Sequence, residues 1–141
     1  IGTALGAYER ALKYSSERES FGKKINKFQS ISFKLADMAT KIEASKLLVY
    51  HAAWMKDQWF NIVKEAAMAK LYATESAHEI IDQAVQIWGG MGVVVGSTVE
   101  RLYREIRGLR IYEGTSEIQK LIVAGEAMAA FEADDPARGA E

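Results

Sequence analysis

Three stretches of this chain carry residues that helix packing alone does not explain. The first is Arg18-Glu19-Ser20-Phe21-Gly22, with Phe28-Gln29 after it. The second is Gln86-Ile87-Trp88-Gly89-Gly90-Met91-Gly92. The third is Ile111-Tyr112-Glu113-Gly114-Thr115-Ser116-Glu117-Ile118-Gln119. Glu113 is a carboxylate in a turn that ends in glycine, and such a turn can bring a side chain close to a flat ligand. A carboxylate in a dry pocket has a raised pKa and becomes a better base. On its own, Glu113 reads as a solvated loop glutamate. Thr115 is placed to cap a following helix, whose free N–H groups and positive dipole end also suit a phosphate or a polarised oxygen. Arg18 is a surface arginine or a planar bidentate donor for an anion. Gly89, Gly90 and Gly92 either close a helix or let backbone approach a ligand closely. They are not a Rossmann fingerprint, because they end a helix and no strand precedes them.

Other chemistries find little support. There is no cysteine, which excludes a disulfide framework, a thiolate nucleophile and a cysteine–zinc site. His51 and His78 stand far apart on two different helices, so no metal site is expected. Arg101, Arg104, Arg107 and Arg110 recur every third residue and read as a solvated or salt-bridged face, with CoA phosphate binding as the lesser alternative.

The elements that must position these stretches are helices. Good helix formers are plentiful, and the sole proline, Pro136, lies near the end. A first helix is expected from Ile1 to about Ser16, with Leu5, Tyr8 and Leu12 on its apolar stripe. A polar loop with Gly22, Lys23, Lys24 and Lys27 follows. A long helix should run from about Ser30 to Lys56, with Ile31, Leu35, Met38, Ile42 and Leu48 on one face. Phe33, Leu47, Val49, Tyr50 and Trp54 widen that face. A third helix, Val63 to Trp88, carries Ala66, Ala69, Ala73, Ile80, Ala84 and Ile87, small enough in part for close helix approach. A short helix near Val99 to Arg107 and a last one from Ser116 to about Phe131 complete the pattern. The valine cluster Val93, Val94 and Val95 is too short to argue for a sheet. The expected fold class is all-α, an up-down four-helix bundle of long antiparallel helices, spanning residues 1–131. Residues 132–141 form a polar C-terminal tail, frayed at its end.

The 141 residues suffice for one domain with a sizeable core. With 18 basic and 19 acidic residues the net charge is −1, so neither nucleic acid nor an anionic membrane is indicated as main partner. No apolar run approaches the roughly 20 residues of a membrane span. The chain opens at Ile1, already inside a helical pattern, and reads as a piece of a longer protein whose targeting segment, if any, lies upstream.

The three stretches, together with Leu35-Ala36-Asp37-Met38, resemble the signature blocks of the acyl-CoA dehydrogenase family. They stand in the family's order with similar separations, up to about Met128. The resemblance implies its C-terminal helical domain, FAD as cofactor, and oxidation of an acyl-CoA thioester to the trans-2-enoyl form. It assigns Glu113 as the catalytic base that removes the α-proton while the β-hydride passes to the flavin. Tyr112 and Gly114 then flank the substrate. Thr115, Ser116 and Glu117 lie beside the flavin nucleotide. Arg18 reaches the FAD pyrophosphate of a neighbouring subunit, with Phe21, Phe28 and Gln29 near the same nucleotide. Periodicity serves Phe28 equally well as a core residue. Gln86, Ile87, Trp88, Gly89 and Gly90 match the stretch that contacts the adenosine end of FAD across a subunit interface. The resemblance further implies a homo-oligomer, a dimer of dimers, and electron-transferring flavoprotein as electron acceptor. Fatty acid β-oxidation is the implied setting, in a bacterial cytoplasm or a mitochondrial matrix.

The chain also departs from the family pattern. Gly96, Ser97 and Thr98 replace an acidic-aromatic-proline run, and Arg104-Glu105-Ile106-Arg107 replaces Arg-Asp-Ala-Lys. Trp59-Phe60-Asn61-Ile62 stands where a glycine-containing polar loop is usual. These changes leave the Glu113 block intact and the acyl chain length open. Two other functions compete: an acyl-CoA oxidase with oxygen as acceptor, and a non-catalytic helical scaffold. The intact Tyr-Glu-Gly-Thr turn speaks against the scaffold, which has no need of that carboxylate.

Overall fold

The computed structural model describes residues 1–134. Five α-helices follow one another: α1 (Gly2–Glu17), α2 (Gln29–Asp57), α3 (Val63–Trp88), α4 (Thr98–Ile106) and α5 (Ser116–Asp134). The 29-residue α2 is about 43 Å long at 1.5 Å per residue. The expected helices all form, each end within about two residues of the reading except at the C-terminus. There α5 continues through Asp134, and the rest of the expected tail lies outside the described residues.

Helix α3 is the axis of the bundle, packing against α1, α2, α4 and α5. The short 58–62 connection makes α2 and α3 antiparallel neighbours. The pairs Lys34–Gln83 and Lys41–Glu79 set their register. Helix α5 runs back along α3, with Ser116 at Glu75 and Val123 beside Met68. The core joins Leu35, Met38 and Ile42 of α2 to Ile80, Ile81, Ala84 and Ile87 of α3, with Val99 and Ile106 of α4 closing one side.

Helix α1 buries a different stripe from the one expected. Ala4, Ala7, Ala11 and Ser15 face inward, Leu5 and Tyr8 pack only at the edge, and Leu12 is exposed. Alanine at these positions, in one core cluster with Ala77 and Ala84 of α3, lets the two packed helices approach, and close packing outweighs the larger side chains' area. On α2 the added residues Phe33, Leu47, Tyr50 and Trp54 lie exposed rather than widening the core. On α3, Ala69, Ile80, Ala84 and Ile87 are buried as expected, whereas Ala66 is exposed and Ala67, Ala77 and Ile81 join the core.

The polar loop after α1 is a two-stranded hairpin, β1 (Glu19–Ser20) against β2 (Lys23–Lys24). Both residues of its tip have positive φ, Phe21 at 50° and Gly22 at 79°, which is the type I′ turn whose twist suits a tight hairpin. A Glu19–Lys24 ion pair at 2.8 Å crosses it. No helix among the described residues is long and apolar enough to cross a membrane.

Candidate functional site

Glu113 sits between the 3-10 turn Arg107–Arg110 and the start of α5. Its φ is +53°, an uncommon conformation for a residue with a side chain, and Gly114 follows at +90°. Two successive left-handed residues turn the chain sharply and leave the Glu113 side chain exposed, with no hydrogen bond or ion pair among the described residues. The backbone around it is fastened. Arg110, just before the turn, donates from Nε to Glu75 Oε1 at 2.8 Å, and its terminal nitrogen stands 2.7 Å from Oε2 in the same ion pair. Ser116, just after it, donates its hydroxyl to the same Oε1. Lys70 Nζ donates to the Gly114 carbonyl at 2.5 Å, and the buried Gln119 amide reaches that oxygen at 3.4 Å. Burial opposes ionisation of Glu75, but hydrogen bonds from Ser116 and Arg110, with the charges of Arg110 and Lys120, hold its carboxyl below the ordinary range.

Thr115 caps α5 as expected, its hydroxyl accepting the Ile118 N–H at 3.3 Å. Hydrogen bonds from its own backbone N–H and from Thr115 keep the Glu117 carboxyl below its usual value. The Ser116 side chain is buried against α3 and offers only its backbone to a ligand. Tyr112 lies half exposed over Gly108, where an added Cβ would stand 2.8 Å from its ring.

The first and second stretches meet at the far end of α3. Arg18, Ser20, Ile87, Trp88, Gly89 and Gly90 share an open groove of about 510 Å³. Trp88 stacks on Tyr14 with ring centroids 4.7 Å apart and donates its indole N–H to the Arg10 carbonyl at 3.3 Å. Gly89 ends α3 with φ +57° and ψ −138°, and nothing stands within 4 Å of a Cβ built on Gly89 or Gly90, so the backbone there is open to an approaching group. The Arg18 guanidinium has no hydrogen-bond or ion-pair partner among the described residues. Phe21 is 94% exposed at the hairpin tip. It meets Phe28 edge-on at 6.3 Å, and Lys23 Nζ stands 4.3 Å from the Phe28 centroid. Phe28 is only partly buried and joins no core cluster. Gln29, the first residue of α2, is exposed, as is Gln86.

Thus Arg18 and the glycine block come together, while Glu113 stands apart from them. Thirteen residues of α3 separate Glu75 from Trp88, about 20 Å along the helix. Sequence reading missed Lys70 and Glu75, which no local pattern marks. Of the regularly spaced arginines, Arg104 does belong to a salt-bridged face, paired with Glu100 at 2.5 Å, whereas Arg110 turns inward to Glu75. Among the described residues no group of three His, Cys, Asp or Glu side chains is placed to hold a metal ion.

Residues 1–128 match the family described as "Acyl-CoA dehydrogenase, C-terminal domain". The chain is 54% identical over 125 residues to a caffeyl-CoA reductase–Etf complex subunit of Acetobacterium woodii, covering 89% of this chain and 33% of the relative. It is 48% identical over 131 residues to the human mitochondrial short-chain specific acyl-CoA dehydrogenase, covering 93% and 32%. The solved butyryl-CoA dehydrogenase of Megasphaera elsdenii superposes with a TM-score of 0.88 at 43% identity, covering 90% of this chain and 33% of that one. The chain therefore spans about a third of the length of the relatives it matches. In sequence and in fold it belongs to the family of acyl-CoA dehydrogenase C-terminal domains.

Proposed function

We propose that this chain is the flavin- and substrate-contacting helical domain of a FAD-dependent acyl-CoA dehydrogenase, with Glu113 as the base. The observation that carries this reading is the Glu113 carboxylate, without a partner among the described residues and presented at the tip of a turn fastened on both sides. Glu113 takes the α-proton of the acyl thioester, and the C–H electron pair goes into the new α–β double bond. Bound FAD supplies the acceptor for the β-hydride. Closure of the site by the remainder of the protein would exclude water and strengthen Glu113 as a base. Tyr112 and Gly114 shape the approach to it.

The groove at Arg18 suits the nucleotide part of such a cofactor. It offers a guanidinium with no hydrogen bond or ion pair among the described residues, open glycine backbone and an exposed aromatic tip, which are respectively groups for phosphate, close approach and stacking. The stretch of α3 from Glu75, which fastens the Glu113 turn, to Trp88 in the groove rises about 20 Å, a span that suits an extended dinucleotide or a cofactor shared between two subunits. The exposed apolar stripe Phe33, Leu47, Tyr50 and Trp54 supports a homo-oligomer, in which a partner copy completes each site. The relative named as part of an Etf complex supports electron-transferring flavoprotein as the redox partner.

That relative's name also favours a second direction, reduction of a 2-enoyl thioester. Glu113 would then return a proton to the α-carbon, as microscopic reversibility demands.

The test is Glu113→Gln in the full-length protein. The variant should fold, stay yellow and bind acyl-CoA, with flavin reduction by substrate slowed on the order of 10²–10⁴-fold. A wild-type rate would place the base elsewhere. Oxygen uptake with acyl-CoA in the absence of electron-transferring flavoprotein would point to the oxidase instead.

A further inference from the structure

We propose that Glu75 is a positioning residue for the Glu113 turn, a role that rests on the reading of Glu113 as the base. One carboxylate on α3 gathers both ends of the segment 111–115. Arg110 meets it with one hydrogen bond at 2.8 Å and an ion-pair contact at 2.7 Å, and the Ser116 hydroxyl shares Oε1. Both partners are immobilised in turn. Arg110 closes a 3-10 turn, and Ser116 is a buried first residue of α5. The five residues between them therefore start and finish at fixed points on α3. Lys70, five residues earlier on the same helix, adds a third fixed point at the Gly114 carbonyl.

This arrangement answers a specific problem. Glu113 is held in a left-handed conformation that a residue with a Cβ does not favour, and such a state persists only when its surroundings over-determine it. No hydrogen bond to the Glu113 side chain itself supplies that restraint among the described residues. The restraint comes from Glu75 and Lys70 acting on the backbone at either side. A base must meet its proton within a few tenths of an ångström, and a displacement of about 1 Å costs on the order of 10²-fold in rate. An ion pair that merely joined α3 to α5 would have no such effect on rate.

The experiment uses the full-length holoenzyme. Glu75→Gln removes the charge and one accepting oxygen from a carboxylate that holds two hydrogen bonds and an ion pair, and Arg110→Lys keeps the charge but loses the planar guanidinium. Glu75→Gln should leave FAD content and acyl-CoA binding near wild type. It should slow flavin reduction at saturating substrate about 10- to 100-fold and speed amide exchange across 111–115. Arg110→Lys should give an intermediate loss, and it carries the test if Glu75→Gln fails to fold. In the Glu113→Gln background, Glu75→Gln should slow the residual reaction no further, because the group it positions is gone. An equal slowing in both backgrounds, or unchanged exchange across 111–115, overturns the proposal. A wild-type rate in Glu113→Gln alone overturns the assignment of the base, and the exchange data keep that failure distinct.

Discussion

Lys70 donates to the carbonyl oxygen of Gly114 across 2.5 Å and 44 residues of sequence, fixing the turn that carries Glu113 to the first half of α3. The contact leaves the Glu113 side chain free while restraining the backbone one residue on. Lys70→Met keeps the aliphatic stem and removes the donor. Only the Gln119 amide, at 3.4 Å, would then serve that oxygen. We expect a loss of about 1 kcal/mol in the unfolding free energy of the full-length protein, below the 1.5–3 kcal/mol typical of charged hydrogen bonds because the pair is only partly buried. The catalytic rate should fall more than KM rises. Denaturant unfolding and steady-state kinetics decide this, and a KM effect alone would count against it.

Gly114→Ala should be costly for two separate reasons. Its φ of +90° disfavours any side chain, and the new Cβ would stand 2.4 Å from Gln119 Nε2. Gln119 is only 8% exposed, so its amide has little room to yield. The expected cost is about 1–3 kcal/mol, read as a lowered melting temperature together with slower flavin reduction. An unchanged melting temperature would show that the turn is more pliant than its geometry indicates.

Acid should loosen the Glu113 turn through Glu75. Facing that carboxylate are Arg110, Ser116, Lys120 and, on α5, the repelling carboxylate of Glu117. The folded state holds the Glu75 pKa below its unfolded value. The stability it contributes is therefore fully present above the ordinary carboxylate range and is lost as pH falls through the lowered folded value. Amide exchange across 111–115, corrected for the intrinsic pH dependence, should speed up below that point in the wild type. It should lose this acid step in Glu75→Gln. The same step in both proteins would assign it to another carboxylate.

Arg18→Ala should weaken FAD retention more than folding. The guanidinium makes no hydrogen bond or ion pair within the described residues, so its removal breaks no polar contact in the bundle, whereas a charged contact to phosphate is worth about 1.5–3 kcal/mol. Reconstitution of the apoprotein with FAD should show affinity reduced tenfold or more, with the melting temperature of the apoprotein unchanged. Unaltered affinity would remove Arg18 from the cofactor site.

Local patterns in the amino-acid sequence determined most of the helical framework. Long runs of helix formers without proline, broken at Gly22, at the 58–62 connection, at Gly89–Gly90 and at Gly114, leave few other ways to place α1 to α5. The Glu113 block and the cap at Thr115 were legible for the same reason, since turn and cap chemistry act over a few residues. What spacing alone did not decide was which stripe faces inward. On α1 the alanines won over Leu5 and Leu12, because the closest packing against α3 depends on the shape of the partner helix. The hairpin at Phe21 was likewise hidden, its two-residue strands being too short to alternate. Above all, tertiary structure chose the partners of the Glu113 turn. Lys70 and Glu75 look like ordinary charged residues of a long helix, and only the antiparallel return of α5 along α3 brings Gly114, Arg110 and Ser116 within hydrogen-bonding distance of them. Hydrogen bonds act over about 3 Å of space and carry no mark at 41 or 44 residues of sequence.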